Sequence, residues 1–161
     1  MSTNPWIEQF RALHQRASRG ELKEEERQHY LATREQFARA MTAAQGMSLL
    51  PGQSMRRTFR IAHSLPVELR LASGTLQALT ADVSVGGFST LMHKPPPDTE
   101  EPGFTLRLPG NLEPVTGRSR VAAAQRKLNA HRVSFAILGL SEKDQERLEM
   151  VVFDLALERL K

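Results

Sequence analysis

Near residue 50 the hydrophobic period of this chain changes from helical to two, and that change constrains its fold more than any other feature. Up to about residue 46 apolar side chains recur three or four positions apart, with no proline after Pro5 and no strand-like alternation. Asn4 is the expected N-cap, with Pro5 at the first helical position. Trp6, Phe10, Leu13 and Ala17 then form one stripe. Gly20 punctuates, and a second helix is expected from about Glu21 to Ala44, with Leu22, Tyr30, Phe37, Ala38 and Met41 as its apolar positions. Its other positions are dense in Glu, Arg and Gln, a solvated face able to form pairs four residues apart. The two segments predict a helical hairpin, ended by Gly46 and by Pro51-Gly52-Gln53-Ser54.

From Phe59 the alternation is that of strands. Phe59, Ile61, Leu65, Val67, Leu69 and Leu71 share one parity, opposed by Arg60, Ser64, Glu68 and Arg70, which predicts one long half-buried strand bent near Pro66. Ser73-Gly74 turns the chain into a second strand over Leu76–Val83, and Phe88–Met92 continues as a third. A proline-rich acidic loop, Lys94 to Gly103, precedes a fourth strand at Phe104–Leu108. Val115–Gln125 and Ala130–Leu138 supply two more. Antiparallel strands at this spacing suggest a closed barrel or a sandwich. Ser141 then caps a final helix whose stripe of Leu148, Val151, Val152 and Leu155 is suited to sealing an open end or face of the barrel. The expected class is mainly β with helices (α+β).

A chain of 161 residues fits one domain, or a domain with an appendage. It contains no cysteine, which removes disulfide and thiolate chemistry and fits a reducing compartment. No apolar run approaches the ~20 residues that span a bilayer, and the N-terminus lacks a basic segment followed by an apolar one. A cytoplasmic protein without membrane insertion is therefore expected. The formal charge of +4 favours anionic partners.

The chemistry concentrates in two short motifs. Arg56-Arg57-Thr58-Phe59-Arg60 sets arginines four apart on a loop entering a strand. Asp82-Val83-Ser84-Val85-Gly86-Gly87 follows in the spacing Asp-x-Ser-x-x-Gly. Guanidinium groups can fork onto phosphate oxygens or onto the O6 and N7 edge of guanine. A carboxylate can accept from guanine N1 and N2, while a serine hydroxyl and glycine-freed amides can reach a phosphate. Blander readings exist for each part. The arginines could be a solvated cluster, Asp82 and Ser84 a turn-stabilising pair, and Gly86-Gly87 a bulge.

In their order and spacing these motifs resemble the PilZ domain, the bacterial receptor module for cyclic di-GMP. Arg56 and Arg60 match its Arg-x-x-x-Arg, and Asp82, Ser84 and Gly87 match its Asp/Asn-x-Ser-x-x-Gly. The resemblance runs from roughly Met55 to the C-terminus. It implies a PilZ-like antiparallel β-barrel of about six strands with a C-terminal helix, preceded in this chain by the helical hairpin. The expected organisation is a hairpin over residues 1–46, a linker over 47–55 and the barrel with its helix over 56–161.

By the same resemblance the protein would be a cyclic di-GMP receptor that relays second-messenger level to a partner protein, as in motility regulation. Arg56 and Arg60 would bind phosphates and guanine edges, with Arg57 adding charge. Asp82 would accept from a guanine edge, Ser84 would bond a phosphate, and Gly86 and Gly87 would permit close approach. The protein partner would be met through the hairpin or the barrel surface.

Two other readings remain open: a PilZ-like adaptor that binds protein but no nucleotide, and a small basic barrel for nucleic acid. Low aromatic content, with Phe59, Phe88, Phe104 and Phe135 on inward parity, argues against the last. An enzyme is not expected. No phosphate-binding loop, nucleophile elbow or dinucleotide fingerprint is present, and the acidic runs at Glu24-Glu25-Glu26 and Glu100-Glu101 lie on a polar helix face and in a loop. His14, His29, His63, His93 and His131 are scattered without metal-ligand spacing, so no metal and no cofactor beyond the nucleotide are expected, and each is read as a surface or barrel residue.

Overall fold

A computed structural model of the chain describes residues 5–46, 59–110 and 112–160. The expected cap at Asn4, the linker at 47–55 and two of the site arginines, Arg56 and Arg57, lie outside the described residues. The elements run α1 (Pro5–Ser18), α2 (Glu24–Gly46), β1 (Pro66–Leu71), β2 (Gly74–Ser84), β3 (Gly87–Met92), β4 (Gly103–Leu106), β5 (Val115–Arg126), β6 (His131–Leu138) and α3 (Glu142–Arg159). The residues divide into two compact units, Met1–Phe59 with Phe153–Lys161, and Arg60–Val152.

The second unit is a closed antiparallel barrel of six strands in the order β1-β2-β3-β6-β5-β4. The alternation read from the sequence sets its interior. Val67, Leu69, Val83, Phe88, Phe104, Leu106, Val115, Val133 and Phe135 are all 2% exposed or less and line one face of their strands. Phe88 sits between Phe104 and Phe135, with ring centroids 5.4 Å apart in both pairs, one edge-on and one stacked. Ser141 caps α3 as expected, its hydroxyl accepting from the Asp144 amide at 3.1 Å. Within the barrel unit Leu148, Val151 and Val152 are buried.

One strand differs from the sequence reading. The alternation from Phe59 to Leu71 suggests a single long strand, but β1 begins only at Pro66. Proline has no amide to donate, and the preceding Leu65 amide bonds the Thr80 hydroxyl (2.8 Å) instead of a carbonyl. Upstream, among the described residues, the bridge between Ile61 and Val83 stands isolated from the strands. Arg60 therefore leaves a short tether, not a strand interior.

The other unit is the helical pair with the end of α3. Phe10, Tyr30, Phe37, Phe59 and Phe153 are 3% exposed or less and pack ring on ring, with Phe10 and Phe37 centroids 5.0 Å apart. Glu26 accepts from the Lys23 amide at the start of α2 and pairs with Arg16 of α1 at 2.8 Å. These bonds hold its carboxyl below the usual carboxylate range, the Arg16 hydrogen bond contributing most. That contribution is present above the unfolded-state value and is lost as pH falls through the folded one.

His14 is neither a surface nor a barrel residue, contrary to the sequence reading. It is 1% exposed, with Nδ1 2.7 Å from the Tyr30 hydroxyl and Nε2 2.7 Å from Asp154 Oδ1. An apolar helical stripe tolerates a histidine when both ring nitrogens find partners. Tyr30→Phe removes one partner while keeping the ring, and should cost about 1–3 kcal/mol. The single tryptophan, Trp6, stacks on Phe10 and Phe37, so urea unfolding followed by its fluorescence measures the loss in this unit.

Candidate ligand-binding site

The second motif lies where β2 turns into β3, and register decides which way its side chains point. Val83 pairs with Phe88 and is fully buried inside the barrel, so its neighbours Asp82 and Ser84 face outward. Asp82 pairs with Ser89, Ser89 with Ser134, and the next outward pair is Leu91 with Arg132. An outer patch of β2, β3 and β6 thus gathers Asp82, Ser84, Ser89 and Arg132. A bulge in β2 between Thr80 and Asp82 re-aims the carboxylate at this patch.

Asp82 is only 4% exposed although it lies on the outer side of the sheet. The Arg132 guanidinium donates to its Oδ2, and the Arg60 guanidinium lies 3.7 Å from Oδ1. The two arginines are about one third exposed, 28% for Arg60 and 34% for Arg132. Two guanidinium groups thus face one carboxylate at a partly open surface. Oδ1 accepts no hydrogen bond, and neither does the fully buried Ser89 hydroxyl beside it. Unfilled acceptors beside partly exposed guanidinium groups are the chemistry of a polar anion-binding surface.

The turn itself is pinned from several sides. The Ser84 hydroxyl accepts from the Gly86 amide and donates to the Gly87 carbonyl, both at 3.3 Å. The Ile137 amide of β6 bonds the Gly86 carbonyl at 2.9 Å, and Gln145 of α3 donates to the Val85 carbonyl at 2.8 Å. The turn-stabilising reading of Ser84 is therefore true of this structure. Its partners are local and both contacts are long.

The two glycines differ in what requires them. A Cβ on Gly87 would run into the Phe135 carbonyl oxygen, whereas one on Gly86 meets no heavy atom within 4 Å. Gly87 thus has a packing reason, the close approach of β3 to β6. Gly86 leaves open space above the turn.

Of the residues expected from sequence, Arg60, Asp82, Ser84, Gly86 and Gly87 come together at this turn, while Arg56 and Arg57 fall outside the described residues. Arg132, Ser89 and Gln145 were missed. Arg132 lies 50 positions from Asp82 and nothing local marks it, although its outward parity on the last strand was readable. Among the described residues no three His, Asp or Glu side chains converge on a metal position, and no helix is long and apolar enough to cross a membrane.

The glycines provide a direct check. Gly87→Ala should destabilise the protein by about 1–3 kcal/mol through overpacking. Gly86→Ala should stay within about 0.5 kcal/mol of the parent. Thermal unfolding of the two variants measures both.

Comparison with known proteins agrees with this architecture. No curated protein matches the sequence. Among solved structures, the Bacillus subtilis inhibitor of motility (MotI/DgrA) aligns with a TM-score of 0.58 at 16% identity, over 66% of this chain and 53% of its own. Escherichia coli YcgR in complex with c-di-GMP aligns with a TM-score of 0.55 at 22% identity, over 65% of this chain and 47% of its own. The matched region therefore spans about half of each of those chains. The isolated PilZ domain of YcgR with c-di-GMP matches over 95% of its length and 66% of this chain, with a TM-score of 0.52 and 24% identity. At such identities these likenesses establish the fold. The family model for the PilZ domain matches residues 54–154, well over half of the sequence, and the chain belongs to the PilZ domain family.

Proposed function

We infer that this protein is a receptor for cyclic di-GMP, with the nucleotide bound on the outer patch of β2, β3 and β6. The observation that carries this reading is Asp82: a nearly buried carboxylate held between Arg60 and Arg132 with Oδ1 still free of hydrogen bonds. Family membership and the c-di-GMP complexes of structural neighbours such as YcgR support the choice of ligand.

In this reading Asp82 accepts from guanine N1 and N2. Arg132 keeps that carboxylate aimed through its hydrogen bond to Oδ2. Arg60 turns from Asp82 toward a phosphate or toward the guanine O6 and N7 edge. Ser84 exchanges its two 3.3 Å turn contacts for a phosphate oxygen, and the space above Gly86 admits the ligand backbone. Arg56 and Arg57 add charge from the preceding loop. No step requires catalysis. The output is a change in contacts with a partner protein, in the manner of a signalling receptor.

Calorimetric titration tests this. Cyclic di-GMP should bind and cyclic di-AMP should bind far more weakly, because adenine lacks the N1 and N2 donor pair that Asp82 would meet. Arg60→Ala should weaken binding by about tenfold to more than a hundredfold, the worth of a charge-assisted contact of roughly 1.5–3 kcal/mol. Its circular dichroism should be unchanged, since Arg60 precedes the first regular strand. Equal affinity for both dinucleotides would rule out Asp82 as the acceptor that reads guanine.

A further inference from the structure

The end of the barrel where β3 stops and β5 turns into β6 carries apolar and basic side chains together. The Lys127 amide bonds the Ala130 carbonyl at 2.7 Å, which closes the β5–β6 hairpin and leaves Leu128 and Asn129 at its apex. Met92, the last residue of β3, pairs with His131, so that apex stands beyond the end of β3. Every residue from Ala122 to Asn129 is exposed, Leu128 to 95%. Two further leucines flank the nearby Thr80–Thr90 pair. Leu79 and Leu91 are 59% and 58% exposed and line one surface groove. A single exposed leucine is ordinary, but three on one rim beside exposed cations form a patch.

The cations are Lys94, two residues past the end of β3, and Arg126 and Lys127 on the hairpin. All three are exposed, and among the described residues none of them has an ion pair. Most acidic groups of this end are engaged on its other side. Glu100 accepts from the Ala72 amide next to β1, Glu101 pairs with Arg118, and Glu68 of β1 lies 3.7 Å from Arg70. That leaves Asp98, in the loop after Lys94. Arg132 faces Leu91 across the strands but is held by Asp82, so it is not counted with the three.

We propose that this rim docks the protein on an anionic lipid surface, where it lies on the bilayer without spanning it. Leu128 enters the boundary between headgroups and acyl chains, and Leu79 and Leu91 lie against the headgroup layer. Lys94, Arg126 and Lys127 meet the lipid phosphates, each adding to the attraction near the surface. Charge complementarity alone would also suit a nucleic acid, but the leucines gain nothing from a phosphate backbone. A side chain at a hairpin apex, open on nearly every side, would need a deep pocket on a protein partner. A fluid surface covers it without one. One leucine buries far less than an acyl anchor, so the association should be weak and reversible. The nucleotide reading is not needed for it.

Co-sedimentation of the full chain with vesicles tests the proposal, using phosphatidylcholine alone and equal parts of phosphatidylcholine and phosphatidylglycerol. The chain should partition onto the mixed vesicles far more than onto the neutral ones, and less as salt is raised. Leu128→Ser keeps the charge and should lower that partition coefficient about fivefold to tenfold. Leu79→Ser combined with Leu91→Ser should act in the same direction. Arg126→Glu with Lys127→Glu should lower it more than about a hundredfold. All of these positions are exposed, so circular dichroism should stay unchanged. No binding to the mixed vesicles, equal binding to both kinds, or binding indifferent to the substitutions overturns the proposal. Loss with the charge reversal alone, Leu128→Ser being silent, reduces the contact to adsorption of charge and overturns docking through the leucines. A chain that binds a mixed-sequence DNA duplex and no vesicle overturns it too, in favour of a nucleic-acid surface.

Discussion

The pairing of Asp82 with Arg132 ties the candidate site to the barrel, and the rest of the site depends on it. A carboxylate only 4% exposed is tolerable when paired, since an unpaired buried charge costs about 3–5 kcal/mol. Arg132 enters from β6 and Asp82 from β2, so this one contact reaches across β3 and fixes the outer surface of three strands. Arg60 approaches the same carboxylate at 3.7 Å from the tether before β1. The short tether thus ends beside a charge already set in place. A guanidinium at that distance and 28% exposed can change partners at modest cost, because part of its hydration is retained.

Around that pair the structure is stiff where a ligand would need it to be. The turn after β2 is bonded by Ser84 within itself, by Ile137 from β6 and by Gln145 from α3. Gly87 permits the close approach of β6, and Gly86 keeps the outer surface low. Preorganised backbone of this kind reduces the ordering cost of binding. The bond from Gln145 also makes the first turn of α3 part of the same construction.

Much of this was legible in the sequence. The alternation of Val67, Leu69, Phe104, Leu106, Val133 and Phe135 reflects a barrel interior, and the six strands and three helices follow from where that alternation starts and stops. The Asp82 motif was readable because turn chemistry is local. Arg132 was not, because a contact spanning 50 residues leaves no local mark. The first strand was overextended because hydrophobic parity continues through residues 59–65 although Pro66 interrupts the ladder. His14 was misplaced because its partners, Tyr30 and Asp154, come from two other helices.

Side-chain and amide NMR of the full chain during addition of cyclic di-GMP tests the central claim most directly. The Arg60 and Arg132 guanidinium signals and the amides of residues 82–89 and 132–134 should shift together and saturate at one common concentration, with the Asp82 carboxyl carbon moving in step. Shifts that saturate together elsewhere on the barrel, leaving Asp82 and both guanidinium groups unmoved, would contradict it.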